Sequence, residues 1–226
     1  MTSRHFVMLA LVLGTIAAIL EAYVDGGWIA ATAVTALLNV SWLYYSIAFG
    51  NRYMLALWFF GVVAGFVELW SDCAAVERNI LVYDHGGPFI ACSPVYMPFG
   101  WATELAELGF IARVLLHHVG LSVPIAMLAT ATFGALQMPL GEYLARSSGL
   151  WYYQNVPMLF GVVPYLVISS EFLIAAPLPL IARFLHRTKE VDDTITLWWT
   201  IPLGLLFGLW IRIAAQISLE LFGTRT

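Results

Sequence analysis

Apolar runs of about 20 residues alternate along the chain with short polar breaks, and that is the length a helix needs to cross about 30 Å of hydrocarbon. The pattern predicts seven spans, near residues 5–24, 28–49, 53–75, 90–115, 122–145, 159–184 and 195–222. Gly50-Asn51-Arg52 divides the second from the third, and His117-His118-Val119-Gly120 the fourth from the fifth. The strongly hydrophilic run from His186 to Asp193 divides the sixth from the seventh. No run alternates with period two, so a closed β-barrel is excluded. Bundled helices are then the way to pair every backbone N–H and C=O inside lipid. The expected fold is an all-α integral membrane bundle of about seven transmembrane helices, in one domain covering residues 1–226.

Composition supports this. Of 226 residues, 61% are hydrophobic and 11% charged, too little charge to cover a water-soluble globule of this size. The first run follows Arg4, is long for the apolar core of a signal peptide and carries Glu21 near its far end, so it reads as a span. The net charge of −4 is spread without a basic patch, which argues against a nucleic-acid partner and leaves membrane lipids as the surroundings. Arg4, Arg52, Arg113, Arg183, Arg187 and Lys189 fall on one side of these spans, and Arg78, Arg146 and Arg225 on the other. Positively charged loops tend to stay cytoplasmic. The expectation is a bacterial-type cytoplasmic membrane with the N-terminus inside, the C-terminus outside, and loops 76–89 and 146–158 on the outer face.

Those two loops belong to segments with the same order of residues. Glu68 is followed by Tyr83, Gly87-Pro88-Phe89, Pro94-Val95-Tyr96 and Glu104; Glu142 is followed by Trp151-Tyr152-Tyr153, Pro157-Met158-Leu159, Val163-Pro164-Tyr165 and Glu171. Such an order suggests a tandem repeat of a helix–loop–helix unit, which would set four carboxylates around an internal pseudo-axis.

Carboxylates inside a membrane cost a few kcal/mol on insertion scales and are retained when paired, protonated or facing a cavity. Glu68 and Asp72 share a helix face, as do Glu104 and Glu107, and by depth these groups converge with Glu142 and Glu171 on the outer half and midplane. Arg212, alone among basic residues well inside a span, is the expected counter-charge, either as a buried structural pair or as a partner that keeps one carboxylate ionised while another acts as an acid. Aromatic residues lie at the same level: Tyr83, Trp101, Trp151, Tyr153 and Tyr165 among them. Their bland role is the interfacial belt; the chemical one is to stabilise a cation over a π-face.

Pro94 and Pro98 make a regular helix at the start of the fourth span unfavourable. Cys73 and Cys92 bracket the first outer loop, and two states stay open for them: a disulfide, if that side is oxidising, or free thiols, which are ordinary in apolar helices. His85 lies in that loop without a zinc-type cluster around it, and neither a glycine-rich phosphate loop nor a nucleophile elbow occurs, so no cofactor or resident metal is expected.

The two Glu, Tyr–Pro loop, Pro–aromatic segments resemble those of small integral-membrane carotenoid hydratases and heterodimer-type lycopene cyclases. The size, the span number and the early Glu68 are also similar to the membrane terpene cyclases of meroterpenoid pathways, although the late acidic residue of that family has no clear counterpart. The resemblance implies a redox-neutral, acid-initiated cyclisation or hydration of an isoprenoid-like lipid, of lyase or isomerase type. Glu68 and Glu171 would lead as acid and base, followed by Glu104 and Glu142, with Asp72 in support. Trp101, Tyr153, Tyr165, Tyr83, Trp151 and Arg212 would surround the substrate. Two other readings remain open at this stage: a proton- or cation-coupled carrier using the same carboxylates, and a scaffold in which every Glu is structurally paired.

Overall fold

The computed structural model describes residues 2–24, 26–84, 87–191 and 193–223, with backbone alone over 189–191 and 193–195. His85 and Arg225 lie outside the described residues. Among the described residues, eight helices follow the apolar pattern: α1 (Ser3–Val24), α2 (Gly27–Ala48), α3 (Arg52–Glu77), α4 (Met97–His117), α5 (Val123–Ser147), α6 (Tyr165–Ala175), α7 (Leu178–Val191) and α8 (Asp193–Phe222). Six helical stretches are long and apolar enough to span a membrane, α6 and α7 counting as one across the break at Pro177. Helix α4 is not among these six: its 21 residues reach about 31 Å, while Glu104, Glu107 and Arg113 make it more polar than the others. The protein is a multi-pass helical membrane bundle. Leu37, Leu136 and Leu206, each at least two-thirds or nearly two-thirds exposed, face outward as lipid-facing residues do.

Helix α3 sits at the centre, with Tyr53, Met54, Leu57 and Phe60 fully buried. Apolar side chains gain little from leaving lipid for protein, so close backbone approach and hydrogen bonds hold such helices together. Gly61 of α3 lies against α4, where an added Cβ would stand 2.6 Å from the Ala102 carbonyl oxygen. Gly204 and Gly208 of α8 lie against Val63 and Val67 of α3, and a Cβ on Gly204 would stand 2.6 Å from Val63 Cβ. The Trp58 indole donates to Asn39 Oδ1 at 2.7 Å, and Asn39 donates to the Phe99 carbonyl at 3.0 Å, tying α2, α3 and α4 together.

The fourth and sixth spans start later than the hydropathy pattern predicts. In place of helix over 90–96 and 159–164, the chain forms two hairpins, β2 (Phe89–Ile90) with β3 (Ser93–Pro94) and β5 (Met158–Leu159) with β6 (Val163–Pro164). Proline lacks an N–H and disfavours helix in the residue before it, so these apolar stretches turn back instead of continuing upward. At the opposite end, the hydrophilic run expected as a loop is helical through Val191.

Two further strands, β1 (Leu81–Val82) and β4 (Tyr152–Tyr153), pair with each other in antiparallel register, Leu81 with Tyr153 and Val82 with Tyr152. This pairing fixes the repeat. The turn after α3 closes by Ile80 N–H to the Ala75 carbonyl and the turn after α5 by Leu150 N–H to the Ala145 carbonyl, an offset of 70 residues from Ile80 to Leu150. Asn79 and Gly149 take the same left-handed conformation in these turns (φ 56° and 67°), and Ala91 and Phe160 do so at the hairpin tips (φ 54° each). With that offset Val82 opposes its own counterpart, which is the signature of a two-fold axis between units α3–β1–β2–β3–α4 and α5–β4–β5–β6–α6. Both units start and finish at the same ends of the bundle, so the axis runs along it.

The structural register corrects the pairing suggested by residue type. Asp72, not Glu68, is the counterpart of Glu142, and Tyr83 is the counterpart of Tyr153. Glu68 corresponds to Met138, and Glu171 corresponds to Trp101.

Candidate active site

A cavity of about 450 Å³ opens between the two units and is closed on a third side by α1 and α2. Glu68, Asp72, Glu104, Glu142 and Glu171 all line it, with Tyr83, Trp101, Trp151 and Tyr153. Nine of the eleven residues read from the sequence as site candidates therefore meet in one place. Glu68 and Glu171 are each 3% exposed.

The carboxylates divide into two kinds. Asp72 Oδ2 accepts from Tyr83 OH and from Ser93 Oγ, both at 2.6 Å. Its counterpart Glu142 accepts from Trp151 Nε1 at 2.8 Å and interacts with the Tyr153 hydroxyl. Glu104 Oε1 accepts from Gln137 Nε2 at 2.6 Å. In contrast, Glu68 Oε2 and Glu171 Oε1 are buried without a hydrogen-bond partner. Glu68 also lies within reach of Asp72 and of the Trp101 indole. The symmetric positions, Asp72 and Glu142, are thus held by donors, and the positions where the two units diverge carry the free carboxyl oxygens.

Burial and the neighbouring carboxylates push the phenols of Tyr83 and Tyr153 well above their ordinary range. Both remain protonated donors near neutral pH. The first hairpin is fastened by a disulfide between Cys73 and Cys92, with Cα atoms 5.0 Å apart. It joins the residue after Asp72 to the residue before Ser93, so it holds the Ser93 hydroxyl on the Asp72 carboxylate.

Two expected residues fall outside the cavity. Arg212 is exposed on α8 and forms no ion pair with a cavity carboxylate. Ile211 and Ala215 occupy the cavity wall instead, and successive residues on a helix point about 100° apart. Gly204 and Gly208 pack on α3 and Ile211 and Ala215 line the cavity, while Arg212 stays exposed. Tyr165, the first residue of α6, is 40% exposed and faces the Phe222 ring at 6.3 Å. Its counterpart in the repeat, Val95, is likewise outside the cavity lining. Glu107 lies on α4 outside the cavity lining.

The structure adds Glu21, Tyr96 and Ser71, all lining the cavity and each with a buried side-chain oxygen lacking a partner. Glu21 was discoverable by the same rule that selected the others, a carboxylate within an apolar span. Among the described residues, no three His, Cys, Asp or Glu side chains converge closely enough to hold a metal ion.

Fold and cavity define a multi-pass helical membrane protein with a buried acidic site walled by aromatic rings. The chain belongs to a family described as a domain of unknown function, DUF6989, whose profile matches residues 69–222. That stretch begins within α3 and takes in both repeated units' hairpins, α4 to α8 and most of the cavity's aromatic wall. No curated protein and no solved structure matches the chain.

Proposed function

We propose that this protein is an enzyme that protonates an uncharged, isoprenoid-like lipid in the cavity and directs the resulting cation to cyclisation or hydration. The observation that carries this reading is the pair Glu68 and Glu171, buried in one cavity with carboxyl oxygens that no protein group occupies. Two carboxyl groups in apolar surroundings without a cation beside them are suited to holding and passing a proton. In the reaction, Glu68 gives a proton to a carbon–carbon double bond or an epoxide. The cation then closes onto a second double bond or takes up water. Glu171, ionised at the start, accepts the proton released, and return of that proton to Glu68 across the cavity restores both groups, so the cycle is redox-neutral. Trp101, Trp151, Tyr83 and Tyr153 present π-faces to the cation, while Asp72 and Glu142 orient the phenols.

The same reading sets the hairpin end outside and the N-terminus inside a cytoplasmic membrane. Arg4, Arg52, Arg113, Arg183 and Arg187 gather towards the other end, and the Cys73–Cys92 disulfide suits an oxidising compartment. A proton- or cation-coupled carrier is the second reading, favoured by the two repeated units around an axis along the bundle.

The test uses membranes containing the full chain, linear isoprenoids and deuterated water. Products of unchanged mass apart from one incorporated deuterium, or heavier by one water, are expected, with losses on the order of 10²–10⁴ in Glu68→Gln and Glu171→Gln. Unchanged turnover in both variants sinks the acid–base assignment. Flux driven by a pH gradient in proteoliposomes, without product, favours the carrier.

A further inference from the structure

A second cavity, of about 300 Å³, runs between α1 and α2 and shares three lining residues, Gly14, Val34 and Leu38, with the acidic cavity. The two spaces adjoin at these three residues. Beyond the junction the walls are almost wholly apolar, and Leu9 and Leu13 on α1 are about half exposed, so the groove is reachable sideways from lipid. Its far end is lined by a stack of rings, Phe6 on Tyr45 at 4.2 Å and Tyr45 on Phe49 at 4.9 Å. From Leu38 to Phe49 the groove follows α2 for about 16 Å, room for a chain on the order of ten carbons.

We propose that this groove holds the unreacted tail of the lipid whose reacting end lies between Glu68 and Glu171, so that the substrate is a long, linear, uncharged hydrocarbon chain. The inference rests on the reading of the acidic cavity as a lipid-converting site. The shared wall sets the occupant, because a chain that passes Gly14 from the groove has its head among the carboxylates. A phospholipid would bring its phosphate into an acidic cavity whose described lining holds no Lys, Arg or His to pair with it. The ring stack acts as a stop, so chain length is measured from the carboxylates to Tyr45.

Gly14 is the point of control. A Cβ there would meet Leu38 Cδ1 at 3.6 Å, an ordinary contact, so a larger side chain fills the passage without moving backbone. The experiment takes the full chain in lipid nanodiscs and a farnesol analogue with a diazirine at its tail end, competed by geraniol, farnesol and geranylgeraniol. In the parent protein, label is expected on groove residues of α1 and α2, with geranylgeraniol at least about tenfold more effective than geraniol as competitor. Gly14→Leu should lose the groove label and the dependence on chain length, while Gly14→Ala keeps both. Thermal unfolding and elution volume establish that the variants fold; if Gly14→Leu does not, Ser41→Phe, further along the groove, is read in the same way.

Label elsewhere, label unchanged by Gly14→Leu, or equal displacement by geraniol, geranylgeraniol and added phospholipid overturns the proposal. The two readings fail separately. Groove labelling without turnover of any chain overturns the enzyme and leaves the binding groove, whereas turnover with the same chain-length preference in Gly14→Leu overturns the groove alone.

Discussion

Val82 faces Tyr152 across an antiparallel strand pair, and the two are the same position in two copies of one unit. A residue that opposes its own counterpart marks a two-fold axis, and the cavity lies between the units it relates. The axis distinguishes carboxylates kept in both units, Asp72 and Glu142, from Glu68 and Glu171, which replace Met138 and Trp101. Cysteines introduced together at Val82 and Tyr152 should cross-link on mild oxidation, detected as a reducible change in gel mobility beyond that of the native pair. Absence of a cross-link in folded protein would count against the register.

Neutralising the two kinds of carboxylate should have different consequences. Glu68→Gln and Glu171→Gln remove a group free to exchange a proton and should lower turnover on the order of 10²–10⁴. Tyr83→Phe removes one of two donors to Asp72 and should leave the chemistry in place, with about 1 kcal/mol lost in stability. Turnover and thermal unfolding of the three variants, measured side by side, check the division. Equal loss of turnover in all three would contradict it.

The contact between α3 and α8 depends on having no Cβ at Gly204. Gly204→Val forces a side chain onto Val63 and should cost about 1–3 kcal/mol, read as a lowered unfolding temperature in detergent. Gly100→Ala is the control, since an added Cβ there meets nothing within 4 Å. It should be neutral or stabilise by up to about 1 kcal/mol.

Removing the Cys73–Cys92 bond frees the first hairpin from α3. Reduction, or the Cys73→Ser/Cys92→Ser double variant, should destabilise by about 2–4 kcal/mol and loosen the Ser93 contact to Asp72. Mass spectrometry before and after reduction reads the bond, and proteolysis of the loop after β1 reads its loosening. A double variant that unfolds and resists cleavage like the parent would show that the bond contributes nothing.

Much of this site was legible in the chain because a carboxylate in an apolar run stands out without any knowledge of neighbours. Glu68, Asp72, Glu104, Glu142 and Glu171 were all found in that way, and Glu21 met the same criterion. The repeat was legible as an order of residues, but its register was not. Glu68 and Asp72 are one helical turn apart on one face, so matching by residue type can align Glu142 with either, and the pairing of β1 with β4 decides for Asp72.

The sequence by itself determined that the chain is a multi-pass helical membrane bundle and which apolar runs carry acidic groups, since each follows from hydropathy read along a run. Tertiary structure alone decided which way each helix is turned. Hydropathy averaged over a span is blind to rotation about its axis, and Arg212 lies beside Ile211 in sequence yet faces away from the cavity that Ile211 lines. The rotation of α8 in the bundle leaves the carboxylates of the site without the cation that their sequence context suggested.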